Sequence, residues 1–119
     1  MTKNLDNDGL RSIVENYDIF YIDLWGVVHN GITLHKNAIE ALDEITKVNK
    51  DYVLLTNAPR PNKTVNNFLE KMGMNKEIRE KVYSSGEAAL NYLRKNSLEK
   101  KFYHIGPPRD FDLFLDFKK

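Results

Sequence analysis

A run of four apolar residues, 19–22, ends abruptly at Asp23. Its isoleucine and aromatic side chains favour β structure, and an apolar run without alternation predicts a strand buried on both faces. A second run of the same kind, residues 52–55, ends at Thr56 and Asn57. Strands of this kind lie inside parallel sheets that are packed between helices, so the two runs together indicate an α/β fold.

Segments with helical periodicity surround these runs. Apolar residues recur every three or four positions, which predicts amphipathic helices over residues 10–17, 38–48 and 65–72. Pro61 suits the first turn of the third helix, and Gly73 is well placed to end it. The chain therefore alternates strand and helix from residue 19 onward.

The second half of the chain continues this alternation. Ser84 and Glu87 have the spacing of a capping box, which predicts the start of a further helix. Residues 102–105 form a third short apolar run that predicts a third strand, closed by Gly106, and residues 111–117 predict a last helix. Strands alternating with helices indicate right-handed crossovers and a parallel sheet covered on both sides.

Polar side chains follow the first two predicted strands. In parallel sheets ligands bind beyond the carboxyl ends of the strands, where Asp23, Thr56 and Asn57 are expected to lie. A partly desolvated carboxylate there suits a nucleophile or a metal ligand, and the hydroxyl and amide can bind phosphate oxygens. The N-terminus of the next helix adds backbone N–H donors. Each residue alone is more often a turn or cap residue, so the combination carries the prediction.

Composition excludes several other functions. The net charge is +1, with 18 basic and 17 acidic residues, so no single-sign field favours nucleic acid or a membrane surface as partner. Cysteine is absent, which excludes disulfides and thiol chemistry and fits the cytoplasm. No apolar run approaches the ~20 residues of a membrane span, and residues 1–10 do not resemble a signal peptide.

Two segments carry a resemblance to a known family. Residues 23–31, Asp-Leu-Trp-Gly-Val-Val-His-Asn-Gly, resemble the first motif of the haloacid dehalogenase (HAD) superfamily, usually Asp-x-Asp-Gly-(Thr/Val). Residues 54–57 resemble the second motif, a hydrophobic strand that ends in Thr or Ser. The intervals, including Gly73 and residues 84–93, are most similar to the NagD-like phosphatase branch, and the resemblance covers residues 17–114.

This resemblance implies a fold and a reaction. The fold would be a partial Rossmann-like three-layer HAD core over residues 1–119, with three parallel strands and helices, lacking the cap domain and the last core strands. Asp23 would attack a phosphoryl group of a small molecule to form an aspartyl-phosphate, which water then hydrolyses. Mg²⁺ would be held by the Asp23 carboxylate and the backbone carbonyl of Trp25, while Thr56 and Asn57 would bind the phosphate.

The first motif departs from the family pattern at one position. Trp25 replaces the second aspartate, the general acid that protonates the leaving group. That role contributes about 10²–10⁴-fold to rate, so poor leaving groups would suffer most. A subset of the NagD-like branch is similar in having Trp here. His29 could substitute, although a loop histidine is more often structural.

The third and fourth family motifs, a lysine and acidic metal ligands, are expected beyond residue 119. Lys118 and Lys119 suit a solvated tail, and Arg60 suits an exposed loop. The acidic residues near the end of the chain alternate with apolar ones, which places them on the outer face of a helix and not in a metal site: Asp110, Asp112 and Asp116.

Three hypotheses about the chain follow. It is a truncated hydrolase with little or no activity alone, one part of a split phosphatase, or a non-catalytic phosphate- or protein-binding module. Without further core strands, the strand at residues 19–22 would lie at an exposed edge that favours a complementing chain or self-association. A receiver-type signalling domain is disfavoured. Such a domain needs an acidic pair before the strand that leads to its phosphorylated aspartate, and this sequence has none there. These residues do not specify the substrate.

Overall fold

The computed structural model describes residue 2, residues 4–97 and residues 99–117. Its strands are β1 (Ile19–Asp23), β2 (Asp51–Thr56) and β3 (Val82–Ser84). Its α-helices are α1 (Leu5–Asp8), α2 (Lys36–Lys47), α3 (Asn62–Lys71), α4 (Lys76–Arg79) and α5 (Ser85–Asn96). Short 3₁₀ segments occupy Leu10–Ser12, Val14–Asn16 and Pro108–Phe114. The chain divides into two compact units, Met1–Val53 and Leu54–Lys119, and β2 runs through their boundary.

The predicted parallel α/β sheet is confirmed. Three parallel strands follow the order β1-β2-β3, and β2 pairs with β3 so that Leu54 lies opposite Val82 and Thr56 opposite Ser84. Strand β1 therefore forms one edge of the described sheet, as the sequence predicted.

The position predicted for the third strand is wrong. Residues 102–105 form no strand, and the side chains of Tyr103 and Ile105 are 92% and 90% exposed. The run is anchored on one side only, because Phe102 packs on Phe117 and His104 packs on two phenylalanines of the terminal 3₁₀ segment. A three-residue segment at Val82–Ser84 pairs with β2 instead.

Strand β1 is also more exposed than its apolar sequence predicted. Its residues alternate between exposed and half-buried, and Ile19 and Tyr21 are 43% and 70% exposed. An edge strand covered on one face has this alternation, so burial on both faces is corrected to burial on one. The buried apolar residues of the first unit are Val14, Leu24, Val28, Leu42, Ile45 and Tyr52.

The helix predicted over residues 10–17 is replaced by shorter elements. Helix α1 begins after Asn4, whose Oδ1 accepts a hydrogen bond from Asp6 N at 3.0 Å. Gly9, at φ +70°, ends the helix, and two 3₁₀ turns follow it. Within residues 10–17, Ile13 at φ −126° and ψ −8° departs from helical backbone values and separates the two 3₁₀ turns, so the predicted periodicity does not form one α-helix.

The helix boundaries predicted for the second unit are largely confirmed. Gly73, at φ +85°, follows α3, and the Ser84 side chain caps α5 by accepting from Glu87 N at 3.0 Å. Pro61 precedes α3 as its N-cap and does not occupy its first turn. The predicted terminal helix is the 3₁₀ segment Pro108–Phe114, and Lys118 and Lys119 lie outside the described residues. The buried apolar side chains of this unit are Leu54, Val65, Leu69, Met74, Ile78, Val82, Leu90 and Phe117.

Candidate active site

Asp23 is the last residue of β1, and its side chain is exposed. The expectation of a partly desolvated carboxylate is therefore corrected. Its Oδ1 accepts a hydrogen bond from the backbone N–H of Leu24 at 2.8 Å. The Leu24 side chain is only 2% exposed, so the residue after the carboxylate is anchored in the core. This arrangement fixes Asp23 at the strand end while leaving it accessible.

The loop after Asp23 closes on a single carbonyl. Leu24 O accepts hydrogen bonds from the N–H groups of Val27, Val28 and His29 at 3.2, 2.8 and 3.2 Å. Gly26, at φ +79°, donates its own N–H to His29 O at 2.7 Å. The left-handed backbone that this turn requires is readily adopted only by glycine, which explains Gly26 in the motif. The tight loop predicted after Asp23 is confirmed.

Trp25 projects from this loop into solvent. Its side chain is 64% exposed, yet two neighbours restrict the indole. The His29 ring meets it edge-on, with ring centroids 5.4 Å apart at an interplanar angle of 90°. Gly31 lies beneath it, since a Cβ added there would be 2.1 Å from Trp25 Cη2. One edge of the indole is therefore packed, while much of the ring faces water.

His29 is buried, with 4% of its surface exposed. Its Nδ1 accepts a hydrogen bond from Gly31 N at 2.9 Å, so in the neutral ring the proton is on Nε2. Burial lowers the pKa of His29, the charge of His35 lowers it further, and the carboxylate of Asp23 opposes both. The structural role that sequence reasoning favoured for this residue agrees with these contacts.

Thr56 and Asn57 lie in the second unit, at the end of β2. Thr56 is half-buried, and its Oγ1 accepts a hydrogen bond from Ala58 N at 3.2 Å. The Ser85 hydroxyl donates to Thr56 O at 3.4 Å. Asn57 is exposed. The hydroxyl that was predicted to bind phosphate thus also stabilises the turn leading to α3.

The backbone donor expected at the start of α3 has another partner. Asn62 N donates to the Glu87 carboxylate at 2.9 Å, and Asn62 Oδ1 accepts from Ser84 N at 2.9 Å. The Asn62 N–H is therefore already bound by a carboxylate of the chain. The capping-box spacing identified Glu87 as part of a helix start but gave no indication of its contact with α3.

The loop between Asn57 and α3 also packs closely on the start of α5. Gly86 N donates to Ala58 O at 3.0 Å, and a Cβ added at Gly86 would lie 2.3 Å from Arg60 N. Ser84, buried at 1% exposure, donates its hydroxyl to Arg60 O. The backbone that follows the second motif is therefore held by the turn Ser84–Glu87, a role that the sequence did not reveal.

Arg60 is bound within the second unit. Its Nη2 donates to Arg109 O at 2.6 Å, and its Nε lies 3.6 Å from the Asp110 carboxylate. The expectation of a solvated loop arginine is corrected. The other two acidic residues of this segment also have partners, since Asp112 accepts from Thr64 Oγ1 at 2.6 Å and Asp116 from Arg94 Nε at 2.9 Å. The prediction that all three aspartates lie on the outer face of a helix is wrong for Asp110, whose side chain is only 14% exposed, and for Asp112, whose Oδ1 is buried. All three contact side chains or backbone of the second unit.

The protein oxygens available for a metal are few. Within residues 2, 4–97 and 99–117, no three His, Cys, Asp or Glu side chains come together as a ligand cluster. The donors implied by the motif, the Asp23 carboxylate and the Trp25 carbonyl, are both oxygens. Mg²⁺ binds oxygen and is commonly held by one or two carboxylates together with water and substrate phosphate. The donor set is therefore of the kind that suits Mg²⁺.

Comparison with known proteins decides the family. The family model of haloacid dehalogenase-like hydrolases matches residues 20–117, which include the loop after Asp23 and the end of β2. The chain belongs to the haloacid dehalogenase-like hydrolases. No curated protein matches it. The NagD-like branch within this family stays a prediction from the motifs of the HAD-like chain.

Three solved structures illustrate the similarity. A haloacid dehalogenase-like hydrolase from Brucella suis 1330 is 29% identical with a TM-score of 0.77, covering 92% of this chain and 41% of its own. A provisionally assigned nagD protein is 22% identical with a TM-score of 0.67, covering 82% and 38%. A 4-nitrophenylphosphatase from Thermotoga maritima is 21% identical with a TM-score of 0.68, covering 86% and 39%. This HAD-like chain thus spans about two fifths of the length of these three structures.

No helix among residues 2, 4–97 and 99–117 is both long and apolar enough to cross a lipid bilayer.

Proposed function

We propose that this chain supplies the nucleophile and phosphate-binding residues of a Mg²⁺-dependent phosphatase acting on phosphorylated small molecules. The observation that carries the proposal is Asp23, accessible at the end of β1 and followed by a loop closed on Leu24 O, within the region matched by the hydrolase family. A carboxylate presented on rigid backbone suits in-line attack on phosphorus.

The reaction proceeds in two displacements. A carboxylate oxygen of Asp23 attacks phosphorus and forms an aspartyl-phosphate, while the ester P–O bond breaks and its electron pair stays on the leaving oxygen. Water then attacks the same phosphorus, which releases inorganic phosphate and regenerates the carboxylate. One proton of that water ends on the leaving group and the other on phosphate. Dividing one difficult displacement in two is the contribution of the nucleophile.

The remaining residues bind and orient the phosphoryl group. We assign the Thr56 hydroxyl and the Asn57 amide to its oxygens. Mg²⁺, held by the Asp23 carboxylate and the Trp25 carbonyl, would neutralise charge on the phosphate. The absence of cysteine supports a reducing compartment, and we propose the cytoplasm.

The first test is phosphorylation of Asp23 itself. The purified chain is incubated with Mg²⁺ and acetyl phosphate, a reactive phosphoryl donor, and intact-protein mass spectrometry measures phosphoryl incorporation. We expect one phosphoryl group that hydroxylamine removes, as it does from an acyl phosphate, and that Asp23→Asn abolishes. Incorporation that persists in Asp23→Asn would contradict the assignment. The control is Asp43→Asn, an exposed aspartate on α2, which should incorporate like the wild type.

Turnover is the second test. With 4-nitrophenyl phosphate and Mg²⁺, we expect the chain alone to hydrolyse little substrate, because the described residues hold no acidic cluster for the metal. Rapid turnover that is lost in Asp23→Asn would contradict the expectation of low activity while supporting the phosphatase assignment.

A second candidate is one part of a split phosphatase. It is favoured by the exposed apolar side chains of β1 at the sheet edge. A complementing chain that restored Asp23-dependent turnover would support it. The third possibility, a phosphate- or protein-binding remnant, predicts phosphate binding without phosphorylation of Asp23.

A further inference from the structure

The single tryptophan of the chain stands beside the proposed nucleophile and is mostly exposed. Trp25 lies two residues after Asp23 and keeps 64% of its surface accessible. Val27 and Ile32, in the same loop region, are 49% and 80% exposed. Three exposed apolar side chains therefore follow the proposed nucleophile within nine residues of the chain, where a ligand bound at Asp23 could contact them.

The indole is held in place on the side away from solvent. The indole occupies space that a Cβ at residue 31 would fill if Gly31 were any other residue, and the His29 ring packs against the indole edge-on. The loop that carries Gly31 is itself fixed, because Asn30 Oδ1 accepts hydrogen bonds from Ile32 N and Thr33 N at 2.9 and 2.8 Å. A ring that is already ordered loses little conformational freedom when a ligand stacks on it, so this surface is preorganised.

The chemistry of the side chain adds an independent constraint. An indole N–H is a hydrogen-bond donor without a useful acid dissociation, so Trp25 cannot protonate a leaving group. A leaving group must then depart as an anion of moderate basicity. A phenol, with a pKa of about 10 as in tyrosine, satisfies this requirement far better than an aliphatic alcohol.

We propose that the substrates of this site are phosphomonoesters of planar aromatic alcohols, whose ring stacks on the exposed face of Trp25. The inference rests on the proposed function, because Asp23 must hold the phosphoryl group beside the ring. One residue thereby accounts for two properties of the substrate, a flat apolar body and a leaving group that needs no acid.

Isothermal titration calorimetry of the full chain with Mg²⁺ tests this with three probes: phenyl phosphate, cyclohexyl phosphate and inorganic phosphate. The two esters have equal charge and similar size but differ in planarity and π character. We expect phenyl phosphate to bind about tenfold more tightly than cyclohexyl phosphate, the ratio typical of one aromatic stacking contact. Trp25 fluorescence should change with phenyl phosphate and remain nearly constant with cyclohexyl phosphate.

Variants test whether the indole causes the preference for phenyl phosphate over cyclohexyl phosphate. Trp25→Leu keeps an apolar side chain without an aromatic face and should bring the affinities for phenyl and cyclohexyl phosphate to the same value, so any effect on the Mg²⁺ and phosphate site is shared by all three probes and cancels in this ratio. Trp25→Phe should retain part of the preference. Tyr92→Ala removes an aromatic residue of α5 that is similarly exposed, at 65%, and should retain the full preference.

The outcomes separate this inference from the proposed function. Equal affinity for both esters, with inorganic phosphate still bound, overturns the inference and leaves the phosphate site standing. Failure of all three probes to bind overturns both. A third outcome is that Trp25 emission changes with protein concentration but not with phenyl phosphate. The ring then contacts another protein molecule, which also overturns the inference.

Discussion

Gly31 makes room for the indole of Trp25: a Cβ at residue 31 would lie 2.1 Å from Cη2 and 2.3 Å from Cζ3 of that ring. The backbone at Gly31 is also left-handed, at φ +88°. Both constraints act on the loop that follows the proposed nucleophile, so the glycine and the tryptophan form one structural unit.

Gly31→Ala is expected to displace the Trp25 ring and destabilise the fold. The left-handed backbone alone would lower the free energy of unfolding by about 1–2 kcal/mol, and the steric conflict adds to it. Gly73→Ala is a matched control, with φ +85° and nothing within 4 Å of the added Cβ. Urea unfolding should show a larger loss of stability for Gly31→Ala than for Gly73→Ala. Near-ultraviolet circular dichroism should show a changed tryptophan signal for Gly31→Ala alone. Equal losses and unchanged spectra in both variants would contradict the packing.

The Glu87 carboxylate should be needed to hold the start of α3. It accepts from Asn62 N at 2.9 Å, and its side chain is 19% exposed, so Glu87→Ala is expected to lower the free energy of unfolding by about 1–3 kcal/mol. Glu87→Gln keeps an acceptor oxygen and should lose less. The control Glu40→Gln removes an exposed carboxylate paired with Lys36 at 3.8 Å and should change stability by less than about 0.5 kcal/mol. Similar losses in Glu87→Ala and Glu40→Gln would count against this role.

Stability should fall as the pH drops through the ordinary titration range of histidine. Burial lowers the pKa of His29 in the folded state below its unfolded value of 6.5, so the unfolded chain binds the proton more readily. The contribution is fully present above pH 6.5 and is lost as the pH falls below it. Chemical unfolding between pH 8 and pH 5 measures how steeply the free energy of unfolding falls as the pH drops. His29→Gln should make this slope smaller. His35→Gln, at an exposed position, should retain most of it. A slope unaffected by His29→Gln would show that other groups cause it.

A charge on the face of β1 should oppose association of the chain. Tyr21 is 70% exposed on an edge strand, and lysine at such positions hinders pairing with another strand. If the wild-type chain self-associates through β1, Tyr21→Lys should shift it toward monomer in size-exclusion chromatography with light scattering. Tyr92→Lys, on an exposed face of α5, should leave the association unchanged. Identical elution of wild type and Tyr21→Lys at high concentration would exclude this edge as the interface.

Local signals in the sequence were sufficient for the elements whose causes are local. The apolar runs before Asp23 and Thr56 predicted two parallel strands, and Gly73 predicted the end of α3. The Ser84–Glu87 spacing predicted the cap of α5, because a capping box forms within one helical turn. The family was likewise predictable from the two motifs, because each motif is a short contiguous segment of the chain.

Tertiary structure decided the features that depend on distant partners. A strand is defined by what pairs with it, so Val82–Ser84 joined the sheet through β2, while the more apolar run at residues 102–105 did not. Burial of β1 depends on what covers each face, which its own residues cannot specify. The first N–H of α3 met the carboxylate of Glu87, 25 residues further along the chain, a contact that no local pattern encodes. Sequence by itself determined local backbone preference and the chemistry of the motifs; packing determined which groups are paired, covered or left to bind a ligand, because those are properties of contacts between segments.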